Sequence, residues 1–290
     1  MNSPMKTSKR IALVTGAEMA KADPESHWLV AELAALGIVG ELVPWQAQID
    51  WAAYPLVVVR TPWDYFRYRD DFLAWAARVA GQTALMNPPA VLAWNSHKAY
   101  LRELAAAGVA TVPTHWLAAG AADEGVLSTC GWPQVVIKPA VSIGAIGAWC
   151  GAAAAGAALA HLRSLLAEGD VLVQPYLPSI ADEGEISLIY FAGEFSHAVC
   201  KRPQAGDFRV QDMYGGSVAA VVADAAAQSL ASRALALAPG DLLYARVDLV
   251  RHAGQWAVME LELIEPELFL PRDPAAARRF ATAIAARLAV

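Results

Sequence analysis

Short apolar runs alternate with helix-length amphipathic stretches over the first 90 residues. Residues 11–15 read as an apolar strand ending at Gly16, and 27–36 as a helix with an apolar stripe closed by Gly37. Strands follow over 38–43 and 56–59, then a helix over 70–79, and Asn87-Pro88-Pro89 breaks the chain. Strands separated by helices imply a parallel sheet with ligands near the strand C-termini. Thr15, Arg60 and Asp64 stand at such ends, although a loop arginine paired with a loop aspartate explains the two charges equally well. The first strand leads into Thr15-Gly16-Ala17-Glu18 without a GxGxxG, which argues against nicotinamide binding.

Beyond residue 90 the pattern changes. A helix over 96–107 precedes a strand into Val112-Pro113-Thr114 and a β-branched strand over 134–139. A glycine loop from Ser142 to Gly147 leads to a strand near 148–150, a helix over 154–166 and a strand over 171–177. The acidic stretch 182–185, strands over 186–190 and 195–200, a loop over 201–216 and an amphipathic helix over 223–237 complete the middle. Then 245–250 and 258–263 alternate apolar and polar around a turn-rich break, the signature of an antiparallel hairpin. A turn centred near Gly254 sets Asp248 opposite Glu260 and Arg246 opposite Glu262. These four share one face, while Val247, Leu249, Met259 and Leu261 fill the other. Cross-strand neighbours lie about 5 Å apart, so three clustered carboxylates repel unless a cation holds them. A hard divalent ion with oxygen ligands fits, magnesium on a nucleotide phosphate being the usual case. A half-buried hairpin with a solvated charged face is the plain alternative.

The 290 residues suggest two domains, or one with sizeable lobes, and 57% hydrophobic against 17% charged residues supply ample core. A net charge of −6 and a pI near 5.5 argue against nucleic acid as a partner, though not against a local phosphate pocket. Cys130, Cys150 and Cys200 are scattered and odd in number, which fits neither a disulfide framework nor a zinc site and suggests a reducing cytoplasm. The start is polar and basic, and the apolar run 11–14 is too short for a signal-peptide core. Residues 141–162 carry no charge, but their Ala and Gly content reads as a glycine loop and helix rather than a membrane span. The expected partner is a small molecule, with no membrane. The oligomeric state stays open, a homodimer being one arrangement.

The order of these pieces resembles the ATP-grasp superfamily, the carboxylate–amine ligases that include glutathione synthetase and D-alanine–D-alanine ligase. The resemblance covers roughly residues 90–272 well and the N-terminal part loosely. It implies an α/β protein: an ATP-grasp fold behind an N-terminal parallel α/β (pre-ATP-grasp) domain. The implied division is 1–92 as the substrate-side domain, 93–170 as the central lobe with a phosphate lid, and 171–290 as the lobe for adenine, metal and substrate loop. Lys98 and Lys138 resemble the lysines that hold nucleotide phosphates, a task suited to a compact charge on a flexible stem. Ser142, Gly144 and Gly147 resemble the lid, where small residues let backbone N–H groups approach anionic oxygens. Gln174-Pro175-Tyr176-Leu177 resembles the segment that reads adenine, and Glu185 the acid that binds ribose, with Glu183 a possible substitute.

Asp248, Glu260 and Glu262 match the metal positions, although many relatives carry asparagine in place of Glu262. Arg246 matches an arginine that stabilises oxyanion charge in the dipeptide-ligase branch, and a structural ion pair is its alternative. The loop from Lys201 through Arg209 to Gly216 resembles a substrate loop, but the asparagine segment of relatives is absent, so no substrate carries over. Lys201 and Arg209 join Arg246 as candidate catalytic residues. His197, in the preceding strand, reads as packed rather than catalytic. Finer features resemble a small branch that includes the enzyme closing the ring of D-cycloserine: Arg60-Thr61-Pro62-Trp63, Leu243 to Asp248, and Glu260 to Pro266. The resemblance implies an ATP- and magnesium-dependent ligase that phosphorylates a carboxylate or ureido carbonyl and joins it to an amine, possible ring closure included. A non-catalytic nucleotide-binding module and a small-molecule kinase remain the alternatives.

Overall fold

The computed structural model of the chain describes residues 9–17, 25–121 and 125–288, with nothing said of the Asp212 side chain. The basic start through residue 8 and Glu18 lie outside the described residues. Strand β1 (Lys9–Thr15) is followed by α1 (Ser26–Ala35), β2 (Ile38–Pro44), β3 (Leu56–Thr61), α2 (Arg69–Ala80) and β4 (Ala84–Met86). All four strands run parallel in the order β2-β1-β3-β4. The alternation within each strand decides the packing. Ile11, Leu13 and Val58 face a core shared with helix residues Leu29, Leu33 and Phe280, while Ala12, Val14, Val57 and Val59 face Trp45, Trp51, Phe72 and Trp75.

Pro88 and Pro89 do not simply break the chain. Pro89 starts α3 (Pro89–Asn95), where its missing N–H and fixed φ cost nothing. The helix expected over 96–107 is shorter, running as α4 (Tyr100–Ala106), and Lys98 lies in the turn between the two helices. There the Lys98 N–H donates to Ala140 O at 2.9 Å, tying this turn to the strand that carries Lys138. The next sheet contains β5 (His115–Leu117), β6 (Gln134–Pro139), β7 (Trp149–Ala152) and β8 (Val171–Pro175), in the antiparallel order β5-β8-β6-β7. It packs on α5 (Val126–Thr129) and α6 (Gly156–Leu166). The charge-free stretch thus divides among loop, strand and half a helix. No helix of the described residues is long and apolar enough to cross a membrane.

After the short α7 (Ser179–Asp182) come β9 (Glu185–Phe191), β10 (Glu194–Arg202), β11 (Ser217–Val221), α8 (Ala225–Leu235), β12 (Tyr244–His252), β13 (Gln255–Glu262) and α9 (Ala276–Arg287). The sheet order is β11-β10-β9-β12-β13, so β13 is an edge. The expected cross-strand pairs are present: Arg246 opposite Glu262 and Asp248 opposite Glu260. The route to that register differs from the expectation. His252 pairs with Gln255, and the hairpin returns to the pairing only through an irregularity between Asp248 and Leu249, which faces Val258. Met259 is the extra residue of this bulge, so it lines the cavity beside Lys138 rather than filling the apolar face.

The outer edge of β13 pairs with backbone of Ala110 and Val112 at Val258 and is satisfied by side chains beyond it. Asn95 donates to Leu261 O (2.9 Å) and accepts from Leu263 N (2.8 Å), while the Tyr100 hydroxyl donates to Leu261 O (3.1 Å) and accepts from Leu261 N (2.9 Å). Asn87 continues the pattern to Leu263 O and Tyr244 O. Two side chains from α3 and α4 therefore stand in for the missing neighbour strand and fix the pitch between Glu260 and Glu262.

Candidate active site

Period-two alternation brings Arg246 and Asp248 of β12, Glu260 and Glu262 of β13, Glu185 and Ser187 of β9 and Lys201 of β10 onto one face. Arg246 Nε and Nη2 donate to both oxygens of Asp248 at 3.0 and 2.9 Å, and Nη2 also meets Glu262. Its Nη1 donates to Glu267 O at 3.1 Å, leaving one Nη1 hydrogen without an acceptor among the described residues. Lys201 Nζ sits 2.6 Å from Glu185 and 3.0 Å from Asp248, and Ser187 donates to Asp248 Oδ1 at 2.6 Å. Burial alone would raise Asp248, but Arg246 and Lys201 outweigh it and hold the carboxyl far below its usual range. Burial would likewise lower Lys201, and Asp248 and Glu185 reverse the shift upward. Glu185, expected at a ribose, is raised by its burial while Lys201 pulls it down. Lys201 is thus a buried cross-brace, not a free catalytic amine.

A second group lies beside this one. Lys98 Nζ meets Glu260 at 2.9 Å and donates to Ser142 O at 2.8 Å. Lys138 forms no ion pair among the described residues. Its Nζ reaches only the Met259 sulfur at 3.9 Å, and burial lowers its pKa, opposed by the more distant Glu260 and reinforced by Lys98. A half-buried ammonium without an anion is costly, and an anionic ligand is what would offset it. The carboxyls show the opposite imbalance. Burial raises Glu262 to about 7 despite Arg246, with Asp248 and Glu260 pushing the same way. Glu265 is raised well above its ordinary value by burial and by Glu262.

Among the described residues, no three His, Cys, Asp or Glu side chains form a ready-made ion cage. Of the three carboxylates expected around one ion, Asp248 has both oxygens engaged, while Glu260, Glu262 and Glu265 crowd the cavity with more acid than cation. An all-oxygen set with excess carboxyl suits magnesium shared with phosphates, which usually takes only one or two protein carboxylates.

The cavity between the two sheets has about 120 Å³ inside, below the roughly 300 Å³ at which ligand sites begin. Ser142, Ile143 and Gly144 close it from one side and Phe208, Arg209 and Val210 from the other, so these loops must part to admit a nucleotide. Gly144 and Gly147 both adopt positive φ (56° and 76°), and so does Ala145 between them at 62°, a conformation unfavourable for a residue with a Cβ. A Cβ on Gly147 would stand 3.2 Å from Pro139 Cγ. Pro175, Tyr176 and Leu177 line the far wall. The buried Gln174 amide donates to Thr114 Oγ1 at 2.9 Å, and the Tyr176 N–H donates to Gln134 O at 3.0 Å, so that amide is not free to face a base. Arg209 is half-exposed, bonded twice to Asp207 and stacked 3.6 Å over the Tyr214 ring. His197 is packed, facing Leu268 O at 2.9 Å.

Sequence reasoning missed three contributors. Met259 needed the bulge, which alternation alone conceals. Ser187 is one of many strand serines. Glu265 carried a usable signal, the spacing Glu260-x-Glu262-x-x-Glu265, but lay beyond the strand.

The sequence of residues 11–87 matches the family described as D-cycloserine synthetase DcsG, N-terminal domain. The cycloserine biosynthesis protein DcsG of Streptomyces lavendulae is 34% identical, over 96% of this chain and 98% of that one. The crystal structure of D-cycloserine synthetase DcsG superposes at a TM-score of 0.87 with 32% identity, covering 96% and 99% of the two chains. D-alanine–D-alanine ligase from Bacillus anthracis, in complex with ATP, shares the fold at a TM-score of 0.72 and 15% identity over 97% of both chains.

Proposed function

The chain belongs to the D-cycloserine synthetase branch of the ATP-grasp ligases, and from that premise we propose that it closes the ring of a small ureido-bearing amino acid. As a member it is an ATP-dependent ligase that activates a carboxylate and joins it to nitrogen. The substrate is O-ureidoserine or a close relative, and the enzyme acts in the cytoplasm on a small molecule. The observation that carries the site is Lys138, an ammonium without an anion partner among the described residues, facing Glu260, Glu262 and Glu265 across one cavity.

Each residue has a part. Lys138 and Lys98 hold the phosphates, Lys98 by exchanging Glu260 for phosphate oxygen. Glu260 and Glu262 hold magnesium, and Asp248 joins only by sharing an oxygen with Arg246 or Lys201. Magnesium held there would supply charge neutralisation at the nucleotide's phosphates. Ser142, Gly144 and Gly147 lay backbone over the phosphates, Gln174 to Leu177 hold adenine, and Glu185 meets ribose while braced by Lys201. Arg246 positions Asp248 and Glu262, and its uncommitted Nη1 hydrogen is the donor left for the oxyanion at the reacting carbon. Arg209 assists after leaving Asp207. In this reading residues 1–92 supply the substrate side, 93–170 the lid lobe and 171–290 the adenine and metal lobe.

The test is a screen of phosphate release with ATP and magnesium against amino acids, dipeptides and O-ureidoserine, with mass spectrometry of the products. A cyclised product from O-ureidoserine alone supports the reading. A linear amide from another pair, or a phosphorylated product that goes no further, replaces it.

A further inference from the structure

A second cavity, about 850 Å³, opens at the C-terminal ends of β1, β2 and β3, where a parallel sheet places its ligands. Asp64, which follows β3, lies in its wall. One Asp64 oxygen accepts the Trp45 indole N–H at 2.9 Å and the other accepts the Gln46 amide, both uncharged donors. No cation pairs with it among the described residues. Arg60, four residues back, is buried instead under Tyr244 and Phe280, 4.0 Å from Glu25, and Arg67, three residues on in the same cavity wall, lies against the Phe66 ring without an ion pair to Asp64. Beside Asp64, the Gln46 Oε1 is buried without a hydrogen-bond partner among the described residues.

The chain makes room for this carboxylate. A Cβ on Gly16 would stand 2.6 Å from Asp64 Oδ1, so glycine at the end of β1 is what lets Asp64 sit there. The wall carries Asp50, Asp64 and Asp71 against Arg67 and Arg78. The Asp64 oxygens, bonded only to uncharged donors beside Trp45, Trp75 and Tyr68, complement a primary ammonium: three donors, one charge and an affinity for aromatic faces. The flanking residues tie the cavity to the first site. Trp63 Nε1 donates to Glu265 O at 3.0 Å, and Ile143 of the lid packs against the same cluster as Trp45 and Trp75.

We infer that this cavity holds the ammonium group of an amino-acid substrate, with Asp64 and Gln46 as its acceptors, so that the carboxylate on the same carbon faces the nucleotide cavity. The inference rests on the ring-closing reading for which amino acid arrives, but not for ammonium recognition itself.

Calorimetry without nucleotide tests it, using O-ureidoserine, serine and alanine beside their counterparts lacking the amine. The expected result is at least tenfold tighter binding of the amine-bearing compounds, lost in Asp64→Asn while ATP affinity is kept. Gln46→Met, which removes the acceptor oxygen at similar size, serves if Asp64→Asn fails to fold, and it should lower the same preference. Equal binding of amine and desamino compounds, a preference that survives both variants, or no binding of any compound overturns the inference. Ring closure by Asp64→Asn with an unchanged KM also overturns it and leaves the proposed function standing. Asp64-dependent binding of amino acids without any ring product supports it and removes the ring-closing reading instead.

Discussion

Lys98 Nζ lies 2.9 Å from Glu260 Oε1, so a lysine suited to phosphate and a carboxylate suited to metal neutralise each other across the cavity. Burial would raise Glu260, and Lys98 with Lys138 lowers it instead. In the proposed reading the pair opens when a magnesium nucleotide enters, each partner trading the other for an ion of the ligand. Glu260→Gln keeps the shape and one acceptor but removes the anion. Turnover should fall by about a hundredfold or more, with circular dichroism unchanged. Near-normal activity at limiting magnesium would remove Glu260 from the metal site.

The lid should respond to nucleotide. Ala145 at φ 62°, with Gly144 and Gly147 also at positive φ, holds a tight turn tied by Lys98 to Ser142 O and by His161 to Gly147 O, and the cavity behind it is too small for a nucleotide. Hydrogen exchange across residues 141–148 should slow when ATP and magnesium are added. Unchanged exchange at saturating nucleotide would mean that this loop covers no phosphate.

Asn95 gives a separate handle on the acidic hairpin. Asn95→Ala leaves Leu263 N without its side-chain acceptor and Leu261 O with only the Tyr100 hydroxyl, two buried backbone groups flanking Glu262. The loss in stability should be on the order of 2 kcal/mol, read from urea unfolding. If the clamp also sets the spacing of Glu260 and Glu262, the magnesium needed for half-maximal turnover should rise severalfold. A stability loss with unchanged magnesium dependence would confine Asn95 to structure.

Much of this was legible in the chain, and the gaps have physical causes. The hairpin register was readable because a one-residue slip would move every acid of 246–262 to the other face. Lys138 was readable because a charge ending a β-branched strand is conspicuous. Met259 was placed on the wrong face because a bulge leaves no mark on an alternating sequence. The start of the 96–107 helix was misjudged because Pro89 at a first helical position looks like any breaker. The pairing of Lys201 with Glu185 and Asp248 was hidden, since it joins strands 47 and 16 residues apart in sequence. Asp64 was noted at a strand end, yet only the packing of Trp45 and Gln46 around it shows that its charge is left for something else.

Glu25 should make stability depend on pH. Its carboxyl is nearly fully buried, accepts Leu268 N and Leu270 N at 2.7 Å, and is raised by burial to about 7 from 4.5 despite Arg60. The folded state therefore holds a proton that the unfolded state releases from about pH 4.5 upward. The contribution is fully present below 4.5, declines as pH rises, and is gone above about 7, a loss of roughly 3 kcal/mol at most. Glu25→Gln keeps a neutral side chain of the same size and should flatten that part of the profile. An unchanged slope between pH 4.5 and 7 in urea unfolding of the variant would assign it elsewhere.

The central claim is that this cavity activates a carboxylate by phosphorylating it and then expels phosphate when nitrogen attacks. O-ureidoserine labelled with oxygen-18 in its carboxylate reads this directly by mass spectrometry of the inorganic phosphate. In the proposed route a carboxylate oxygen bonds to the γ-phosphorus, and the carbon–oxygen bond breaks when the ring closes. Each ring formed should therefore release one phosphate carrying one labelled oxygen, matched by one ADP. Ring product accompanied by unlabelled phosphate would contradict the account.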